Sequence, residues 1–277
     1  DVMYGKGKGV LPDDKAVEEW YTLSAQQGIA KSQSNLGMMY ANGLGVPQHY
    51  KTAVKWYSHA AEQGDAAAQF NLGLMHGKGQ GVLQDNKIAV KWLTLAAEQG
   101  NANAEYNLGM MYEKGWGVSQ DGKTAVKWYR LAAKQGNATA QFNLGLMHGK
   151  GQGVPQDNTI AMKWHTLAGK QGDADAQLHL GQSFYKGEGV PKDYKTAVKW
   201  YTLAAKQRNA TAQFKLGLMH GEGQGVPSDN MIAMKWHTLA ANQGNADAQF
   251  QLGQEYYKGE RIPTDYKSAM KWYTLAA

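Results

Sequence analysis

Apolar and small residues recur along the chain with the spacing of paired amphipathic helices. In residues 65–100, Ala68, Leu72 and His76 follow one another at intervals of four and predict the buried stripe of a first helix. Ala89 and Leu93 begin a second stripe with the same spacing, which predicts a second helix. The segment therefore predicts two short helices, each with one face turned to a core.

Glycine and aspartate mark the ends of the two helices. Gly77, Gly79 and Gly81 are predicted to end the first helix, because glycine accepts the left-handed conformations of helix exits. Asp85 is predicted to cap the N-terminus of the second helix, and Gly100 to follow its C-terminus. The Asp85 column also holds Asp13, Asp121, Asp157, Asp193, Asp229 and Asp265, with His49 as the exception.

A tryptophan every 36 residues indicates that this helix pair is repeated in tandem. The column runs without insertion through Trp20, Trp56, Trp92, Trp128, Trp164, Trp200, Trp236 and Trp272. The predicted repeats are a truncated one at 1–28, then 29–64, 65–100, 101–136, 137–172, 173–208, 209–244 and a last one at 245–277. Because stacked repeats share one continuous core, residues 1–277 are predicted to form a single elongated all-α domain.

Composition narrows the function classes. Hydrophobic residues make up 43% of the chain and charged residues 19%, which disfavours both disorder and membrane insertion. The net charge of +6 comes largely from a repeat-spaced lysine row, so it is spread along the chain and does not predict nucleic-acid binding. The absence of cysteine excludes disulfides, thiolate metal sites and a cysteine nucleophile.

The columns A-x3-L-G-x2-[YH], G-x-G-V-P-x-D, A-[VM]-K-W-Y-x-L-A-A and Q-G-[ND]-A resemble the Sel-one-like repeat family, relatives of tetratricopeptide repeats. The resemblance covers essentially the whole chain. It implies a right-handed α-α superhelix, or solenoid, of antiparallel helix pairs with the first helices toward the concave side. Family members are typically adaptors in bacterial envelope, host-interaction or signalling assemblies, or in eukaryotic protein quality control.

The ends and one junction depart from the pattern. Residues 2–5 match the last turn of a first helix, and neither end resembles a polar cap, so we expect a piece of a longer protein or end-to-end self-association. Arg208 replaces the glycine expected after Gln207, where a left-handed residue costs about 1 kcal/mol. That position predicts either local strain or a re-angled junction.

The histidines are the residues of this sequence that most suggest a chemical role. His148 and His165 occur together in one repeat and His220 and His237 together in another, each replacing an aromatic residue, which predicts that the members of a pair pack together. Equivalent histidines two repeats apart are expected about 20 Å from each other, and two ligands are too few for a metal site. The pairs are therefore interpreted as buried substitutes for tyrosines, with pH sensitivity as a further hypothesis.

Catalysis and nucleotide binding are not predicted. The glycine-rich segments, such as 77–81, follow a helix and recur in the repeats, whereas a phosphate-binding loop links a strand to a helix. No catalytic motif or nucleophile with a base stands outside the repeating columns. The sequence predicts no catalytic residue, metal or cofactor.

A second apolar stripe on the first helices is the candidate binding surface. Phe70 and Leu74 lie about 160° around the helix from Leu72, and Asn71 adds an amide beside them. Equivalent columns supply Tyr106, Asn107, Met110, Phe142, Asn143, Leu146, His179, Phe214, Lys215 and Leu218. Two interpretations stay open: contact with the neighbouring repeat, or a concave groove that binds an extended or helical peptide.

Trp116 is the one tryptophan outside the register and lies in a predicted loop. It is interpreted either as an exposed anchor for a partner or as a side chain folded back on its own loop.

The sequence thus predicts a non-catalytic scaffold, a bacterial adaptor that binds a protein or peptide in the concave groove, with an exported or periplasmic location favoured over a cytoplasmic one. Two alternatives stay open. One is a scaffold for carbohydrate or envelope polymers, and the other is a regulatory repeat domain of a larger protein that contains an enzyme.

Overall fold

A computed structural model describes residues 14–259 and 263–277, with side chains from residue 17 onward. Contacts divide the chain into two compact units, residues 1–140 and 141–277, called here the N-terminal and C-terminal units and described separately. The expectation for residues 2–5, and residues 1–13 of the truncated repeat at 1–28, lie outside the described residues.

The described residues form fifteen α-helices and no strand. The second helices of the repeats are α1 (Asp14–Gln26), α3 (Tyr50–Glu62), α5 (Asn86–Glu98), α7 (Gly122–Lys134), α9 (Asn158–Lys170), α11 (Tyr194–Lys206), α13 (Asn230–Ala241) and α15 (Tyr266–Ala276). The first helices are α2 (Ala30–Asn42), α4 (Ala66–Lys78), α6 (Ala102–Lys114), α8 (Ala138–Lys150), α10 (Ala174–Lys186), α12 (Ala210–Glu222) and α14 (Ala246–Lys258). Helices α1 to α7, and likewise α9 to α15, each pack on the next helix along the chain, so the predicted all-α repeat class is confirmed within each unit.

The predicted helix ends are confirmed with one correction. The Asp85 carboxylate accepts hydrogen bonds from the backbone N–H groups of Lys87 and Ile88, as an N-cap does. Gly79 ends α4 in the left-handed conformation, with φ of 67°. Gly77, in contrast, lies inside α4, because the helix continues through Lys78 before the left-handed residue ends it.

The core lies between consecutive repeats. In the N-terminal unit, one buried cluster joins Ala89, Leu93 and Ala96 of α5 to Ala104 and Leu108 of α6. Within a repeat, the glycine column permits the close approach of the two helices, since a Cβ on the α6 residue at 109 would lie 2.7 Å from the Tyr129 ring of α7. Trp128 is half-buried against this cluster, and Trp92, Trp236 and Trp272 are half-buried against equivalent clusters. Stability therefore comes from contacts between neighbours, as the repeat pattern predicts.

Arg208 is the one described non-glycine residue with a positive φ, at 66°. Its N–H donates to the Ala205 carbonyl at 3.0 Å, just as Gly172 donates to Gly169 at 3.1 Å. The junction therefore keeps the backbone geometry of the other repeats. The left-handed backbone conformation of Arg208 destabilises the fold by about 1 kcal/mol.

Candidate functional site

Each unit contains a cavity at the same place in the repeat. The cavity of the N-terminal unit has a volume of about 410 Å³ and lies among helices α2, α3 and α4. The cavity of the C-terminal unit, of about 220 Å³, lies among α8, α9 and α10. Their lining residues correspond at an offset of 108 positions, which is three repeats, as Tyr57 with His165 and Asn71 with His179 illustrate. The cavities are thus a recurring product of the fold.

The two cavities differ in chemistry. Tyr50, Tyr57, Asn71, Met75 and Gln80 line the first cavity. The matching residues of the second are Asn158, His165, His179, Ser183 and Glu188. The C-terminal cavity is therefore smaller, and it is lined by two imidazoles and a carboxylate where the N-terminal cavity has a phenol and two amides.

Two imidazoles face each other in the C-terminal cavity. The ring centroids of His165 and His179 are 4.5 Å apart, and the Phe142 ring contacts both of them. His165 is 2% exposed, and neither of its ring nitrogens has a hydrogen-bond partner of good geometry among the described residues. Nδ1 of His179 is also buried without such a partner. A buried polar atom without a hydrogen-bond partner lowers the stability of the fold, unless a water molecule or a ligand supplies the hydrogen bond.

Burial sets the charge state of these histidines. It lowers the pKa of His165 to about 4, with His179 adding to the effect and the Phe142 carbonyl opposing it. Burial also lowers the pKa of His179, where Glu188 opposes the shift and Lys150 and Lys186 add to it. Both rings are therefore neutral at neutral pH, with one nitrogen lone pair available on each.

The packing of His148 against His165, which the sequence predicted, stays a prediction. The ring contacts that the structure gives to His165 are those with Phe142 and His179. His237, in the second predicted pair, contacts Phe214 with its ring centroid 5.6 Å away.

The candidate residues divide between the cavities and the core. Asn71 and Leu74 line the first cavity, and Leu146 and His179 line the second. Phe70 packs on the core between α5 and α6, so contact with the neighbouring helices accounts for it.

Phe214 likewise lies in the core, at 9% exposed, with Leu218 against the same cluster. Lys215 places its ammonium 5.4 Å from the Phe214 ring centroid. These three residues are therefore held mainly by their own repeat and the next one.

The remaining candidates are half-buried on the first helices. The Tyr106 ring lies 5.9 Å from the Tyr129 ring, and the Asn107 amide donates to the Asn103 carbonyl. Met110 and Asn143 are half-buried as well.

Trp116 is 47% exposed in the loop after α6. Its column is the one that holds Gln80 and Glu188, which line the two cavities. Trp116 therefore occupies the cavity-lining position of its own repeat.

A row of buried amides went unnoticed in the sequence. Gln69 donates to the Ala61 carbonyl of the preceding second helix at 3.1 Å and accepts from Gln99 at 2.8 Å. The same column holds Gln33, Gln141, Gln177, Gln213 and Gln249, all buried. The sequence signal for these buried amides is a polar residue that recurs at one fixed position beside the apolar stripe of the first helices.

Glu105 is the exception in this row. It is 3% exposed and accepts a hydrogen bond from Gln135 at 2.8 Å, but an ionised carboxylate has no N–H to donate to the carbonyl of the preceding helix. Burial raises the pKa of Glu105, and the Gln135 hydrogen bond partly offsets that rise.

We expect Glu105→Gln to stabilise the chain by about 1–2 kcal/mol at neutral pH, because it restores the donor and removes a buried charge. A raised folded-state pKa means that ionisation opposes folding, so the penalty is absent at low pH and develops as pH rises above the ordinary Glu value of 4.5. Urea unfolding at about pH 4 and about pH 7 measures the difference, with the exposed Glu98→Gln as control. A gain that is equal at both pH values would contradict this account.

Two further observations concern metal binding and membrane insertion. Among the described residues, no three His, Cys, Asp or Glu side chains stand close enough together to hold a metal ion. No described helix is both long enough and apolar enough to span a bilayer.

The Sel1 repeat family model matches the chain in eight consecutive segments, 2–29, 30–65, 66–101, 102–137, 138–173, 174–209, 210–245 and 246–277. A protective antigen present in uropathogenic Escherichia coli strains, described as displaying an SLR fold, superposes with a TM-score of 0.92 and is 37% identical. That match covers 99% of this chain and 59% of the antigen, so the chain spans little more than half of that relative.

A Sel1 repeat protein from Oxalobacter formigenes is 32% identical with a TM-score of 0.77, over 88% of this chain and 96% of that one. An immunity protein from Pseudomonas aeruginosa is 22% identical with a TM-score of 0.51, over 78% of this chain and 83% of that one, and shows the fold alone. No curated protein sequence matches the chain.

Proposed function

Because the chain belongs to the Sel1 repeat family, whose stacked helix pairs form a protein-interaction fold, we propose that it is a non-catalytic bacterial adaptor that binds a peptide segment on the first-helix side of its repeats. The observation that carries the proposal is the cavity of the N-terminal unit, between α2 and α4. Its bacterial relatives support the bacterial source.

The lining of this cavity suits a peptide. Asn71 and Gln80 form no side-chain hydrogen bond with another described residue, so both amides are available to donate to and accept from a peptide backbone. Met38 and Leu74 add apolar surface for a side chain. Apolar walls with a few placed polar groups are typical of binding pockets.

Trp116 is the proposed peptide-binding residue of the next repeat. A half-exposed indole at the cavity-lining position offers a large, rigid contact area, and tryptophan is enriched among the residues that dominate binding energy. Leu74, Asn107 and Met110 belong to the same pair of consecutive repeats.

Panning a library of short random peptides on the chain tests the proposal. We expect selected peptides to lose about tenfold or more in affinity on the double variant Asn71→Ala with Gln80→Ala, and on Trp116→Ala, because each removes contacts of hot-spot size. Leu83→Ala is the matched control, since Leu83 is 92% exposed in a loop outside the cavity.

Titration of the selected peptides by fluorescence polarisation supplies the affinities. Unchanged binding in both cavity variants would refute the proposed surface. Failure to select any peptide, together with binding of peptidoglycan fragments, would favour the envelope-polymer alternative.

A further inference from the structure

The second-helix side of the C-terminal unit has a groove of its own, called here the α9 groove. It has a volume of about 520 Å³ and lies between α9 and the loop that leads from α10 to α11. Met162 and Leu167 of α9, Phe184 of α10 and Val190 of the loop form its apolar lining, which Lys163 and two threonines complete. Of these residues, Met162 also lines the C-terminal cavity.

The loop stands farther from its helix here than in the next repeat. A Cβ on Gly189 would lie 3.3 Å from the carbonyl oxygen of Asn158 in α9. In the next repeat, a Cβ on Gly225 would lie only 2.6 Å from the matching oxygen, that of Tyr194. The Met162 side chain lies 3.3 Å from the Gly189 position, in a column where the next repeat has the shorter valine. Because the longer side chain holds the loop away from α9, the backbone leaves room for a groove.

Lys163 gives the groove its charge. Among the described residues that line the groove it is the only charged one, and it is exposed and forms no salt bridge with a described carboxylate. The Thr166 hydroxyl donates to the Met162 carbonyl at 2.7 Å, so its donor is used within α9. Glu188, beside the loop, is paired with Lys186 at 3.4 Å. The lining therefore offers one cation next to apolar walls, which suits a ligand that combines a carboxylate with an apolar group.

The surface around the groove is positively charged as well. Helices α9 and α11 are described in full, and each of their charged side chains is a lysine: Lys163, Lys170, Lys195, Lys199 and Lys206. The carboxylates immediately before the two helices, those of Asp157 and Asp193, cap the helices and accept hydrogen bonds from backbone N–H groups. An acidic partner is therefore attracted to this face, and a basic one is repelled.

We propose that the α9 groove binds an acidic, amphipathic segment of a partner protein, with an apolar side chain between α9 and the loop and a neighbouring carboxylate paired with Lys163. The groove is open to solvent at Lys163 and Leu167, so it covers one face of a protein segment but would leave much of a free lipid in water. A flat anionic bilayer would contact the matching lysine and leucine of the next repeat equally, whereas a segment shaped to the groove distinguishes the two repeats.

This site goes beyond the peptide binding proposed for the N-terminal unit and does not depend on it. The α9 groove belongs to the C-terminal unit, and its lining shares no residue with the cavity of the N-terminal unit. An adaptor with both sites would join two partners of different chemistry.

Panning of short random peptides on the full chain tests the proposal. We expect a group of clones whose binding survives the double variant Asn71→Ala with Gln80→Ala and falls about tenfold or more in Lys163→Glu and in Leu167→Ala. These clones should be rich in aspartate and glutamate beside leucine, methionine or phenylalanine. Their affinity should fall as salt is added, because salt screens the attraction between exposed charges.

Lys199→Glu and Leu203→Ala are the matched controls, because they make the same changes in the same columns of the next repeat. All four positions are exposed, so the circular dichroism spectra should stay unchanged. Equal losses of affinity at the two repeats would overturn the proposal and assign binding to the repeat-spaced lysine row.

Two other results would also overturn the proposal. One is a set of selected peptides without acidic residues, and the other is the absence of any clone that survives the double variant. Binding of oleate without such clones would assign the groove to a lipid instead. The surface of the N-terminal unit is judged separately, by the clones that the double variant weakens.

Discussion

Replacing Gly81 with alanine is expected to destabilise the chain by about 2–5 kcal/mol. Gly81 has φ of 76°, where a side chain costs about 1–2 kcal/mol. A Cβ would also lie 2.5 Å from the Tyr50 carbonyl carbon and 2.6 Å from its oxygen. Because these are backbone atoms at the start of α3, no rotamer change relieves the clash, and the overpacking adds about 1–3 kcal/mol.

Gly100→Ala is the matched control for this prediction. Gly100 has φ of 80° but no other atom within 4 Å of the site of its Cβ, so only the conformational cost applies. Thermal and urea unfolding, followed by circular dichroism, compare the two variants. Equal losses would mean that the loop does not press on the preceding repeat.

Leu108→Ala is the second substitution for which we expect a large effect. It should lower the free energy of unfolding by about 2–5 kcal/mol. Leu108 is completely buried in the cluster that joins α5 to α6, so truncation leaves a cavity at the contact between two repeats. Leu131→Ala is the control, since Leu131 is 37% exposed on α7 and its loss should cost less than about 1 kcal/mol.

The same unfolding curves report on cooperativity. Stability in a repeat array is a sum of repeat and interface contributions, so damage at one interface should broaden or split the transition. A single sharp transition with an unchanged midpoint would show that the Leu108 contact is not what joins these repeats.

The sequence predicted the features that recur within one helix pair. Asp85 as an N-cap and Gly79 as the helix end both depend on neighbouring residues, so one repeat was enough to identify them. The all-α class followed from the four-residue spacing of the apolar stripes, and the 36-residue tryptophan period extended that helix pair along the chain.

Features that depend on contacts between repeats were harder to predict. His165 lies beside His179 of the next repeat, a contact that no pattern within a single repeat could indicate. For Phe70 and Phe214 the sequence left open either contact with the neighbouring repeat or a binding groove, and in the structure both residues pack on core clusters that join neighbouring repeats. The cavities depend on three helices at once and were therefore not visible in any single repeat.

The buried glutamines have a consequence for how such a chain reaches its folded state. Eight similar repeats could dock on the wrong neighbour or slip by one helical turn, since their apolar surfaces are alike. Gln69 bonds both Ala61 of the preceding helix and Gln99 at the end of the next second helix, and only correct docking satisfies both. In a misaligned stack the buried amides would lack hydrogen-bond partners in apolar surroundings. The row of glutamines therefore disfavours incorrect assembly, which hydrophobic contacts alone would tolerate.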